Sequence, residues 1–304
     1  MTGYDRRHLI TFAGGALALI GLAGSAAQGM TSAKRQTKPG IVKYAEVNGT
    51  RLAYQIHSNG VRRRPLVLVH GYALRATGDI YAALIAQLVV KFDVYALDLR
   101  GHGGSASSFT GWSQTAIADD VAAFVAKLGL RGALFAGHSL GGFTGMLAQI
   151  RHPGTFSALA LLATAVAAGG SVADGTKEAF MNNAKDKTFT EPAFAAMYLR
   201  PNKDNIGKSV DAISLIDPSV HDAFFTNYAR NVITEELSNI SVPVLLINGR
   251  RDTVVAPEQQ HATALGLANS KEVIFSNEGH MMPIEAPDAT AREMINFFLH
   301  DIAK

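Results

Sequence analysis

The sequence predicts an α/β fold: a mostly parallel sheet covered on both faces by helices and interrupted once by a helical insertion. Three observations predict it. From Leu66 onward, short apolar runs without polar alternation take turns with amphipathic stretches, the pattern of strands buried on both faces. Gly137-His138-Ser139-Leu140-Gly141 follows one such run, Gly132–Ala136, and precedes a helix-like run from Phe143 to His152 closed by Pro153. Finally, residues 165–237 contain no strand-like run, only helical pieces rich in Phe, Tyr and Met.

In chain order, Val42–Val47 and Arg51–His57 alternate around Asn48-Gly49, a two-residue hairpin signal that predicts an antiparallel edge. A buried strand Leu66–Val69 follows, then a helix Asp79–Lys91 and a strand Val94–Leu97. Next come a helix Thr115–Leu128, a strand Ala133–Ala136, the helix from Phe143 and a strand Ala158–Leu162. After the insertion the pattern resumes with Val242–Ile247, Pro257–Leu267, Glu272–Phe275 and Asp288–Ile302. The expected organisation is therefore a core of residues 41–164 and 238–304 with a helical cap of residues 165–237. Of the cap's Phe180, Met181, Phe194, Met197, Tyr198, Phe224, Phe225 and Tyr228, two thirds are expected in the cap's own core and the remainder in a pocket.

The composition of the 304 residues, 48% hydrophobic and 17% charged, is that of a folded globular chain. A net charge of +3 is small for this length and gives no reason to expect a nucleic-acid partner. Arg62-Arg63-Arg64 lies between two strand-like runs and reads as a solvated loop. The absence of cysteine excludes disulfides, thiolate metal sites and a lipoprotein anchor.

Chemistry concentrates at Ser139. Glycines flank it because a sharp strand-to-helix turn strains the backbone there, and a Cβ two residues away on either side would collide with the neighbouring strand or helix. A serine hydroxyl needs a base within hydrogen-bond reach, and that base needs a buried carboxylate to orient it. Of the ten histidines, His280 sits in a loop leaving a late strand and is the best base. Asp252, just after the strand ending near Gly249, is the best carboxylate. The order Ser139, Asp252, His280 is the one expected after such an elbow.

Together these segments resemble the α/β-hydrolase-fold superfamily, over nearly all of the chain from Ile41. The resemblance rests on His70-Gly71-Tyr72, Asp98 through Ser105, Gly137 through Gly142, Gly249 through Asp252, and Gly279-His280 followed by Met281-Met282-Pro283-Ile284-Glu285-Ala286-Pro287. That last continuation is similar to the capped single-domain branch. The resemblance implies an oxyanion hole from the backbone amides of Leu140 and Tyr72. The Tyr72 side chain would then shape the acyl pocket, or its hydroxyl would bind substrate.

Competing readings are bland. His70 is expected to brace its loop, His102 to belong to a structural turn, and His138 to fill the variable elbow position. His261 and His300 read as surface residues, and Asp119 and Asp120 as a solvated first helical turn. Gly101 through Ala106 formally fits a dinucleotide fingerprint, but no helix opens there. No cofactor or metal is expected.

A serine elbow points away from haloalkane dehalogenase and epoxide hydrolase chemistry and toward acyl transfer. The expected substrate is a small, largely apolar carboxylic ester or lactone: the cap carries seven Lys/Arg and ten Asp/Glu without a basic cluster, which disfavours a polyanion. Carbon–carbon bond hydrolases and cofactor-free haloperoxidases or perhydrolases share the same triad. A ligand-binding sensor with a vestigial triad is the alternative from another class. At the N-terminus, Asp5-Arg6-Arg7-His8-Leu9-Ile10, a mildly apolar Thr11–Gly24 and Ser25-Ala26-Ala27 resemble a twin-arginine leader, with Asp5 where Ser or Thr is usual. Residues 1–30 are thus an expected export signal, 31–40 a linker, and the periplasm or exterior the expected location, with an uncleaved membrane anchor as the alternative.

Overall fold

The computed structural model describes residues 40–105, 111–170, 174–228, 230 and 232–302. The expected leader and most of the linker lie outside the described residues. Among the described residues eight strands form one sheet: β1 (Val42–Val47), β2 (Thr50–His57), β3 (Arg64–Val69), β4 (Phe92–Leu97), β5 (Ala133–His138), β6 (Phe156–Leu162), β7 (Val244–Gly249) and β8 (Ser270–Phe275). Their order is β1-β2-β4-β3-β5-β6-β7-β8. Only β2 runs against the rest. Asn48 and Gly49 both take positive φ, as the predicted hairpin turn requires.

The central strands are the apolar ones. β5 and β7 are buried at every residue, which is why their sequences do not alternate. Helices α1 (Ala82–Leu88), α2 (Gln114–Lys127) and α3 (Leu140–Arg151) alternate with strands in the first half of the chain. Ser113 caps α2, accepting a hydrogen bond from Ala116 N at 3.1 Å. Four helices, α4 (Thr176–Asn183), α5 (Lys187–Met197), α6 (Lys203–Ser214) and α7 (Pro218–Tyr228), lie between β6 and β7. After β7 come α8 (Pro257–Gly266), α9 (Met282–Glu285) and α10 (Pro287–Asn296), all three opening on, or one residue before, a proline whose missing N–H costs nothing there.

One reading fails in detail. Asp119 and Asp120 are not a solvated first turn: α2 starts at Gln114, next to the predicted Thr115, which puts both in its second turn. Asp120 is buried and takes a two-pronged ion pair from Arg100, at 2.7 and 2.8 Å, while also accepting Asn48 Nδ2 at 3.1 Å. It ties the hairpin tip, α2 and the segment after β4 together. Asp119 stays at the surface with Arg151 and His152.

Strand order positions the site. The chain places β4 on one side of β3 and β5 on the other, making a switch point outside the C-terminal ends of β3 and β5, where open α/β sheets bind ligands. Val69 of β3 is in register with Gly137 of β5, so the loops that carry Tyr72 and Ser139 start side by side. On the far side, Gly249 of β7 pairs with Phe275 of β8, bringing the loops that carry Asp252 and His280 together.

Candidate active site

Ser139 stands between β5 and α3 with φ 51° and ψ −116°, a strained conformation for a residue with a side chain. The glycines around it are demanded by space. A Cβ on Gly141 would lie 2.6 Å from the carbonyl oxygens of Val69 and His70, and one on Gly137 would lie 2.5 Å from the Gly141 backbone. Both backbones therefore approach closer than any other residue permits, and the turn pushes the Ser139 side chain outward.

That side chain opens on an apolar pocket shared with Tyr72, Leu140 and His280. Leu140 is the first residue of α3, so its N–H has no partner within the helix. Among the described residues neither this N–H nor that of Tyr72 is bonded to a protein acceptor. Tyr72 lies in a turn closed by Leu74 N donating to Gly71 O at 3.2 Å, with Ala73 at φ 61°. His70 braces this turn, one ring nitrogen 2.7 Å from Gly71 O and the other accepting Leu99 N at 3.0 Å. Burial drives its pKa down to about 4, consistent with a neutral structural ring.

Behind the pocket, His280 Nδ1 lies 3.0 Å from Asp252 Oδ2. Asp252 is buried and fully engaged. Its Oδ1 accepts Val254 N at 2.8 Å and Val255 N at 2.9 Å, while Oδ2 also accepts Gln260 Nε2 at 3.0 Å. A carboxylate held by two backbone amides keeps its orientation, and it fixes the proton of His280 on Nδ1. Nε2 is then the ring nitrogen left to accept a proton. No hydrogen bond joins Ser139 Oγ to His280 in this structure; the two share the pocket wall without the contact made.

Three participants escape sequence reading. Gln260 also donates to Val255 O at 3.0 Å, so it clamps the loop carrying Asp252. His138, expected only to fill space, lies with Nε2 3.0 Å from His280 O and Nδ1 2.8 Å from Tyr81 Oη. It pins the backbone of the candidate base. Burial, then the nearby His280, lowers its pKa to about 3, so it donates from Nε2 as a neutral ring. The third is His221 of α7, whose Nδ1 bonds the Tyr72 hydroxyl. That hydroxyl is therefore committed to protein, against the reading in which it binds substrate. Proximity of His138 to Ser139 was the only sequence signal for any of them.

The cap aromatics divide differently from expectation. Six of the eight face the pocket, namely Phe180, Phe194, Met197, Phe224, Phe225 and Tyr228, and the four phenylalanines are buried as well. Cap core and pocket wall are one layer. Val254 and Val255 complete the lining from the Asp252 loop.

The sequence matches the family model for the α/β hydrolase fold over residues 64–287. The chain belongs to the α/β-hydrolase fold family. It is similar to a bifunctional esterase/perhydrolase of Acinetobacter calcoaceticus, 28% identical over 258 residues, covering 78% of this chain and 93% of that protein. It is also similar to a non-heme haloperoxidase of Rhodococcus erythropolis, 27% identical over 270 residues, covering 82% and 96%. Among solved structures, the enol-lactonase from Burkholderia xenovorans LB400 superposes with a TM-score of 0.73 at 24% identity, covering 84% of this chain and 99% of that one, a likeness of fold. This α/β hydrolase thus has esterase, perhydrolase and haloperoxidase relatives across nearly their full length.

Proposed function

We propose that this α/β hydrolase cleaves a small, largely apolar carboxylic ester or lactone through an acyl-enzyme. The observation that carries the reading is the convergence on one apolar pocket of a strained Ser139 and a His280 whose Nδ1 is tied to buried Asp252. Ser139 attacks the carbonyl carbon while His280 Nε2 takes its proton, and the imidazolium then protonates the leaving alcohol. Water activated by the same nitrogen hydrolyses the acyl-enzyme. The free N–H groups of Leu140 and Tyr72 stabilise the oxyanion, the largest electrostatic contribution expected in such a site.

Pocket size and lining support the substrate class. The cavity, about 60 Å³, is several times the ~10–15 Å³ a single water needs. Its walls are Phe, Tyr, Val, Leu, Met and Ala around Ser139 and His280, with no Asp, Glu, Lys or Arg among the described residues that line it. The esterase named among the relatives supports the same chemistry. An export leader on residues 1–30 would place that substrate outside the cytoplasm; the mass of the mature protein tests this.

Purified protein should turn over short p-nitrophenyl esters or a small lactone continuously, and Ser139→Ala should abolish turnover with the fold intact. Residual wild-type-like activity in that variant would end the nucleophile assignment. A single burst without turnover would favour the sensor.

A further inference from the structure

Tyr72 is held by α7 through every part of its side chain. Its ring stacks on Phe224 with centroids 3.7 Å apart and planes 8° from parallel. The Phe225 ring meets it edge-on at 5.5 Å, and its hydroxyl is bonded to His221 Nδ1. His221, Phe224 and Phe225 lie three and four residues apart, on one face of the helix. His221 is fully buried, and burial with the nearby His102 lowers its pKa to about 4, so the neutral ring accepts the proton of the phenol. With Nδ1 accepting, the proton sits on Nε2, which has no partner among the described residues. A buried ring left with an unpaired N–H is costly and is not explained by packing alone, since an apolar ring would fill the space without it.

We propose that His221 is a positioning residue: it holds Tyr72 by its hydroxyl so that the Tyr72 N–H keeps its place in the oxyanion hole, coupling the seating of α7 to catalytic competence. The inference rests on the functional reading above, in which that N–H stabilises the oxyanion. The coupling is mechanical. Tyr72 has one backbone in the turn braced by His70 and one side chain anchored on the insertion, so displacement of α7 pulls on the turn that aims the donor. Substrate filling the pocket packs against Phe224 and Phe225, the same residues that grip Tyr72.

The test is steady-state kinetics on a p-nitrophenyl ester with His221→Phe, His221→Gln, Tyr72→Phe and the Tyr72→Phe/His221→Phe double variant. His221→Phe and Tyr72→Phe should each lower kcat about tenfold, the scale of one hydrogen bond, with KM changed less than about twofold. The double variant should be no slower than either single one. His221→Gln, whose amide oxygen can accept from the phenol, should recover most of kcat. Multiplicative losses in the double variant, a change confined to KM, or no rescue by glutamine would overturn the proposal. If His221→Phe fails to fold, Tyr72→Phe, which removes one oxygen atom, decides through its kcat and KM alone. Ser139→Ala runs alongside: activity surviving there defeats the functional reading, whereas an inactive Ser139→Ala with wild-type kcat in the other variants defeats only this inference.

Discussion

Asp252 has four donors on two oxygens, and only one of them is the candidate base. The other three decide where the carboxylate points. Gln260 is the one among them that mutation can remove without touching the backbone. Gln260→Leu keeps the volume roughly and deletes the donor to Oδ2; kcat/KM should fall about tenfold while the urea midpoint moves little, and unchanged kinetics would show that the two amides suffice. Gly141 is the opposite case, a residue whose only task is to be small. Gly141→Ala should cost about 2–3 kcal/mol, because the carbonyls of Val69 and His70 belong to a strand end that cannot retreat; a urea midpoint equal to wild type would contradict the close approach. At this scale the sequence shows the residues that carry local signatures: Ser139 between its glycines, His280 after Gly279, Asp252 past a strand end. It hides Gln260, Tyr81, His138 and His221, whose partners lie in other elements and whose local spacing marks nothing.

Helix α2 shows how an element's boundary changes the meaning of its residues. Placed in a first turn, Asp119 and Asp120 would favour the helix N-terminus; in the second turn of a helix capped by Ser113, Asp120 faces inward onto Arg100. The side chains of that pair are nearly enclosed, at 9% and 2% exposure. Asp120→Ala leaves the guanidinium buried without its partner and should cost about 3–5 kcal/mol in urea unfolding. A loss below about 1 kcal/mol would mean that water reaches Arg100 in the folded protein. Strand positions are legible because burial on both faces forces continuous apolar runs. The short helix α9 is not, since four residues carry no periodicity. The last helix is expected unbroken to Ile302, yet its helical turns widen over Phe297–Asp301, a change that adjacent bulky Phe297 and Phe298, both buried, leave no mark of in a simple 3.6-residue pattern.

Taken as a whole, the molecule stores uncharged imidazoles. Burial holds His70 and His221 down at about 4 and His102 and His138 at about 3, all below 6.5. Unfolded, each ring takes a proton near 6.5, whereas folded each refuses it until pH 4 or 3. Between those limits the unfolded chain binds more protons, so stability is fully present above about 6.5 and is lost as pH falls toward 4 and then 3. Each ring contributes up to about 1.4 kcal/mol per pH unit in that window. Asp98, raised by burial against several hydrogen bonds, acts the other way but only near the carboxylate range. The urea midpoint should therefore fall steadily from pH 7 to pH 5, and a constant midpoint would show that the rings are hydrated in the native state. The fold class is readable from the sequence at this scale because strand and helix patterns alternate over most of the chain. The division of cap aromatics between core and wall is not, because a single layer serves as both.

The excursion that roofs the pocket leaves after β6 and returns before β7, and these two strands are directly paired from Leu159 with Val244 to Leu162 with Ile247. Because that pairing is parallel, the excursion leaves at the C-terminal end of β6 and returns at the N-terminal end of β7, at opposite ends of the two strands. The floor and the roof are nonetheless distinct parts of one chain, since every strand of the sheet lies outside the excursion. A different roof, grafted between the same two strands, can retune which molecules enter while the register beneath stays untouched. Such an exchange would reach Tyr72 through α7, Ser139 through the Ala165 N–H that its carbonyl oxygen accepts, and the His280 loop through Arg200 on Asn277 and Glu278.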